Sequence, residues 1–156
     1  MQSRSHGLAG GMPVKRLMMC MLAGLLAMPS LTMARETPLT AAEARAVRGV
    51  VESQLDAFAR DDPVRAFSFA APPIRRMFQT PERFMAMVRQ AYPVVYRPAS
   101  VTFLKPERID GVTILVVRMT DSDGAPWLAL YRMTREADKS WRIGGVELSR
   151  TGSRAI

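Results

Sequence analysis

Cysteine and histidine are almost missing from this chain, which has one residue of each among 156. Both, Cys20 and His6, precede residue 35. The remainder therefore has no imidazole base, no thiolate nucleophile and none of the side chains that usually bind zinc. It forms no disulfide either, so the hydrophobic core alone must hold its fold. We expect no metal ion and no cofactor.

The segment that holds these two residues has the order of an export signal. The pair Lys15-Arg16 precedes an apolar run from Leu17 to Met28, and the small residues Thr32 and Ala34 precede Arg35. The run has 12 residues, whereas a membrane-spanning helix needs about 20. We predict that residues 1–34 are cleaved and that the protein is exported, to the periplasm or beyond the cell, without a stable membrane anchor. An uncleaved anchor is the alternative.

Acidic residues are fewer than basic ones. Removal of residues 1–34 takes away three of the 22 basic residues and none of the 14 acidic ones, which leaves a net charge of +5. Arginine accounts for 17 of the basic residues that remain. These arginines are scattered among acids, so codon usage explains them more simply than binding to phosphate or to an anionic surface. No basic run contains interleaved aromatic residues, and we expect no nucleic-acid partner.

Helix signals fill the first half of the remaining chain. Thr40 and Glu43 form a capping box that predicts a helix to about Arg60. Asp62-Pro63 and Thr80-Pro81 each combine a cap with a first-turn proline and predict two further helices. The double proline at 72 and 73 predicts the end of the second helix, and one further turn follows it. The first helix has an apolar stripe at helical spacing, formed by Val47, Val50, Val51, Leu55 and Phe58.

From Ser100 the period changes to two, which predicts strands. Four strands are expected, beginning near Val101, Val112, Trp127 and Trp141, with a bulge at Gly144-Gly145 and a disordered tail at residues 150–156. The acidic stretch 121–124 lacks the later ligands of a calcium loop and predicts a turn. Helices followed by an antiparallel meander indicate a single α+β domain over residues 35–149, in which helices pack on a curved sheet.

Three groups of motifs carry a family resemblance. They are Gln54-Leu55-Asp56-Ala57-Phe58, Thr80-Pro81-Glu82-Arg83-Phe84 and Trp141-Arg142-Ile143. From about Ala46 to Leu148 the chain resembles a secreted bacterial family described as domain of unknown function 4864. The order of elements is similar to the nuclear transport factor 2-like superfamily, whose helices pack into a curved sheet around a cone-shaped cavity. That superfamily includes ketosteroid isomerases and polyketide cyclases beside non-catalytic binding modules, so the resemblance implies a fold and no catalytic residue.

Five residues are candidates for lining a ligand pocket. Gln54 lies within the apolar stripe of the first helix, where its amide either binds a ligand or bonds to the protein backbone. Tyr92 and Tyr131 either orient a polar ligand, with Tyr131 as a proton donor, or are core and rim residues. Arg118 and Glu147 stand in apolar strands, where a charge facing inward needs a partner or a ligand. Alternatively, they pair with each other or point outward.

These observations favour a non-catalytic domain that binds a small apolar ligand or a protein partner. The alternatives are a lyase or isomerase that uses Asp or Glu with Tyr, and a structural dimerisation subunit. A wide polar cavity around Gln54 and Tyr131 would favour the enzyme, and a cavity filled by Phe and Met the structural subunit. The second and third strands are apolar on both faces, so we expect a homodimer through the outer face of the sheet.

Overall fold

The computed structural model of the protein describes residues 37–151. The predicted export signal and most of the predicted tail lie outside the described residues. Five helices are followed by five strands: α1 Ala41–Ala59, α2 Pro63–Ser68, α3 Pro72–Phe78, α4 Pro81–Ala91, α5 Pro93–Tyr96, β1 Ser100–Phe103, β2 Glu107–Ile109, β3 Val112–Thr120, β4 Pro126–Arg135 and β5 Trp141–Arg150. Among the described residues, no helix is both long enough and apolar enough to cross a membrane.

The three helix starts predicted from side-chain caps are confirmed. Thr40 Oγ1 accepts a hydrogen bond from the Glu43 amide at 3.2 Å, and Glu43 Oε2 accepts one from the Thr40 amide at 3.0 Å, which completes the capping box of α1. Asp62 and Thr80 cap α2 and α4 with their side chains. The double proline at 72 and 73 does more than end α2, because it forms the first turn of α3. Proline fits there, since the first turn of a helix leaves its amides unpaired.

The sheet is antiparallel, with the strand order β1-β3-β4-β5, and β2 pairs with β3 next to β1. The sheet has five strands, whereas about four were predicted. The strand that was not predicted is β2. The bulge prediction is confirmed by a register shift between Arg132 and Met133, opposite Gly144. β5 runs to Arg150, one residue past the predicted boundary at residue 149. Arg150 pairs with Trp127 in the ladder, and its guanidinium lies 5.6 Å from the centre of the Trp127 ring.

The helices cover one face of this sheet, as an α+β fold requires. Its buried side chains include Leu115, Val117, Ala129 and Tyr131, which join the α1 residues Val47, Val51 and Phe58 in one core. The alternate residues of β3 and β4 point to the opposite, outer face. Val116, Leu128 and Leu130 are half-buried there. The α+β prediction is therefore confirmed, and one sheet face remains without a described helix on it.

Candidate ligand-binding cavity

A cavity of about 230 Å³ opens between the helices and the sheet. α3 contributes Ile74, Met77 and Phe78 to its lining, and α4 contributes Phe84, Met87 and Val88. All six of these side chains are apolar. Both walls follow from the helical spacing of apolar residues, because positions three and four apart share one face of a helix.

The base of the cavity is fixed where the chain between α2 and α3 meets β5. The Ala71 amide donates to Ile143 O at 2.8 Å, and the Ile143 amide donates to Phe69 O at 2.8 Å. Ala70 and Ile143 line the cavity at this junction, and each is nearly inaccessible to solvent. Met77 also lines the cavity and is 73% exposed, so we assign the entrance to Met77.

Gln54 is a buried polar residue of the cavity lining, and only 3% of it is exposed. Its Nε2 donates a hydrogen bond to the backbone oxygen of Ala66 at 3.0 Å. Ala66 lies in the last turn of α2, where a helix leaves its carbonyl groups without internal partners. Among residues 37–151, this bond is the one that the Gln54 amide forms. The bond to the protein backbone is therefore observed for Gln54, and ligand binding stays a prediction, for which Oε1 retains its capacity to accept.

The two tyrosine candidates lie in different surroundings. Tyr92, at the C-terminal end of α4, lines the cavity and is half-buried. Tyr131 does not line it, and its fully buried hydroxyl has no hydrogen-bond partner among the described residues. Burial raises the pKa of Tyr131 well above its usual value, because the charged phenolate loses its hydration. These features do not fit the role of a proton donor.

The charged candidates lie on the outer face of the sheet, away from the cavity. Arg118 and Glu147 are both exposed. They do not form an ion pair with each other; instead, Glu147 Oε1 lies 3.5 Å from Arg132 Nη2. Both side chains point outward, which was one of the alternatives. The cavity lining contains no charged residue.

A second polar cluster was not predicted and lies where α1 ends. The Asp61 carboxylate accepts hydrogen bonds from the Tyr96 hydroxyl, from Arg89 Nη2 at 2.9 Å and from Arg97 Nη2 at 2.8 Å. The two guanidinium groups lie 5.2 and 4.8 Å from the centre of the Tyr96 ring. The Tyr96 and Arg89 hydrogen bonds lower the pKa of Asp61. A carboxylate with a lowered pKa is a weak general base, so this cluster joins helices rather than providing a base for catalysis.

Comparison with known proteins identifies the family. The family described as Domain of unknown function (DUF4864) matches residues 40–156. The chain belongs to this family. The match covers every described element of the DUF4864 domain, from the capping box of α1 to β5. Neither the curated proteins nor the solved structures give a match.

Several carboxylates of this DUF4864 domain, among them Asp61 and Asp121, form ion pairs or turn hydrogen bonds. Asp121 accepts from the amides of Asp123 and Ala125 and, at 2.9 Å, from the indole nitrogen of Trp127, which confirms the predicted turn. Within residues 37–151 there is no group of three or more Cys, His, Asp or Glu side chains that could hold a metal ion. The uncharged cavity at Gln54 is consequently our candidate site for a ligand.

Proposed function

We propose that this domain binds a small, largely apolar ligand in the cavity beside Gln54 and does not transform it chemically. The observation that carries the proposal is an apolar cavity that ends at a buried amide with unused hydrogen-bonding capacity. Small-molecule sites usually combine a mostly apolar lining with a few placed polar groups. The cavity is neither wide and polar nor filled by its Phe and Met side chains, so it favours binding over both alternatives.

The lining also supports a role without catalysis. A lyase or isomerase that uses a carboxylate needs Asp or Glu within hydrogen-bond reach of its substrate. No such residue lines the cavity, and Tyr131 is buried elsewhere in the core. The remaining polar groups, the Gln54 amide and the Tyr92 hydroxyl, can orient a neutral ligand.

Native mass spectrometry of the protein purified from its own host tests the proposal. We expect a bound small mass that organic extraction removes. Val146 is half-buried and lines the cavity, so the substitution Val146→Phe should reduce the space available and decrease the bound fraction. Val64→Phe is the matched control, since Val64 is exposed on α2.

Two results would contradict ligand binding. One is the absence of any bound mass together with no binding of an apolar fluorescent dye to the extracted protein. The other is an equal loss of bound mass in Val146→Phe and Val64→Phe, which would place the ligand outside this cavity.

We further propose that the protein is exported and that it belongs to the nuclear transport factor 2-like superfamily. We also propose that two copies of it associate through the outer face of the sheet. The arrangement of helices on one face of an antiparallel sheet supports this membership. Val116, Leu128 and Leu130 form a half-buried apolar group on the outer face. An apolar group in the middle of an uncovered sheet face is suited to self-association.

Light scattering after gel filtration measures this association. We expect a dimer at tens of micromolar protein and a monomer for Leu130→Lys, because a charge at the centre of an apolar interface remains unpaired. Val64→Lys places the same charge on α2 and should remain dimeric. A monomeric parent protein would exclude the dimer.

A further inference from the structure

The nitrogen and the oxygen of the Gln54 amide have different hydrogen-bonding roles, and this difference limits which ligands the cavity can bind. One N–H of Nε2 donates to the Ala66 carbonyl at 3.0 Å, and the second N–H remains available. This bond also fixes the orientation of the amide, because a carbonyl group can only accept and therefore must face the NH₂ group. Oε1 is thus the acceptor that Gln54 offers to a ligand. A ligand that meets it must donate a hydrogen bond.

The charge of the lining limits the ligand further. No Arg, Lys, Asp or Glu lines the cavity. A carboxylate or phosphate would lose its hydration at the buried end without gaining a cation, and it would meet the partial negative charge of Oε1. The many arginines of the chain therefore do not make this cavity an anion site.

Depth determines how the ligand is oriented. Gln54 is 3% exposed, whereas Met77 at the entrance is 73% exposed. The lining also includes Phe58, Phe84 and Val88, which offer no polar atom. A ligand with one polar group satisfies this lining when that group meets the Gln54 amide and its apolar body extends toward the exposed Met77.

On the basis of the proposed ligand-binding function, we infer that the cavity selects neutral hydrogen-bond donors, such as alcohols, and binds them with the hydroxyl group against Gln54 Oε1. Fatty acids and other amphiphilic anions are disfavoured. The opposite orientation, with the polar group at the entrance, leaves Oε1 facing hydrocarbon and is less stable.

Three small probes test this inference by titration calorimetry on the extracted protein. Hexan-1-ol and 1-methoxypentane are isomers that differ in the presence of a hydroxyl donor, and hexanoate carries a charge. We expect hexan-1-ol to bind about threefold to tenfold more tightly than the isomeric ether, the ratio for one hydrogen bond. Hexanoate should bind more weakly than either.

The substitution Gln54→Met keeps the length of the side chain and removes its carbonyl group. It should equalise the affinities for hexan-1-ol and the ether, whereas Gln90→Met, on the exposed surface of α4, should preserve their ratio. Failure of all three probes to bind would contradict the proposed function itself. Equal binding of alcohol and ether to the parent protein, or preferred binding of hexanoate, would overturn this inference while ligand binding stands.

Discussion

Tyr131 is a residue whose polar group works against stability in this fold. Its hydroxyl is fully buried, and no described residue forms a hydrogen bond with it. A buried polar group without a partner loses its hydrogen bonds to water and gains none in return. The aromatic ring, in contrast, packs between Leu115 of β3 and Val146 of β5. The ring, rather than the hydroxyl, explains the placement of Tyr131.

Removal of this hydroxyl should therefore not destabilise the protein. We expect Tyr131→Phe to leave the free energy of unfolding unchanged or to raise it by about 1 kcal/mol, as measured by urea denaturation. Tyr96→Phe is the comparison, because it removes a hydroxyl that is bonded to Asp61, and we expect a lower urea midpoint. A clear destabilisation by Tyr131→Phe would show that the hydroxyl has a bound partner in solution.

At the scale of elements, sequence signals predicted best where local chemistry decides the structure. The caps at Thr40, Asp62 and Thr80 marked the starts of α1, α2 and α4, and the residues of β3 were predicted as a strand in full. The short elements α5 and β2 were not predicted. β2 has three residues and no apolar alternation, so its strand conformation depends on pairing with β3.

The inward or outward position of a candidate residue could be predicted in α1 but not in the central strands. Gln54 lies in a one-sided apolar stripe, so its inward position follows from helical spacing alone. In β3 and β4 both faces are apolar, and a period of two cannot reveal which face the helices cover. The inward or outward position of Arg118 in β3 was therefore undetermined until the helices were in place. Met77 belongs to α3, which begins at the two prolines that were predicted to end α2.

The helix α3 should be the most mobile wall of the cavity. It has seven residues, none of them buried, and its N-cap residue Ala71 provides no side-chain hydrogen bond. Helices this short are marginal without packing. We expect the amides of α3 to exchange hydrogen faster than those of α4, which has a side-chain cap and three buried residues.

A bound ligand should slow this exchange, because Ile74, Met77 and Phe78 line the cavity. Hydrogen exchange followed by mass spectrometry, with and without hexan-1-ol, measures the difference. Peptides from β1, which contribute nothing to the cavity lining, are the internal reference. Exchange in α3 that equals that of α4 in the free protein would contradict a mobile wall.

For the whole molecule, hydrogen-bonded carboxylates determine how stability depends on pH. Bonds from Thr40 lower the pKa of Glu43, and the Trp127 indole with the Ala125 amide lowers that of Asp121. Tyr96 and Ser140 act in the same direction on the pKa values of Asp61 and Asp138. The folded protein thus binds protons less readily than the unfolded chain, so acid favours unfolding.

The sign of these shifts defines the pH range of the effect. Their contribution to stability is complete above the unfolded pKa values of about 4 and is lost as pH falls through the lower folded values. Residues 37–151 contain no histidine, so we expect a constant urea midpoint between about pH 5 and 8 and a decrease below that range. A step in the midpoint near neutral pH would contradict this description.

One substitution connects this pH dependence to a single turn. Asp121→Asn retains an oxygen for the amides of Asp123 and Ala125, but its NH₂ group then faces the indole N–H of Trp127, and two donors cannot pair. We expect a lower urea midpoint at pH 7 and a smaller decrease on acidification, because one of the four carboxylates no longer titrates. Asp123→Asn makes the same change at an exposed position of the same turn and should have little effect at pH 7. If Asp121→Asn retained the full acid dependence, stability in acid would be determined by the other carboxylates, and Asp121 would act only as an uncharged acceptor.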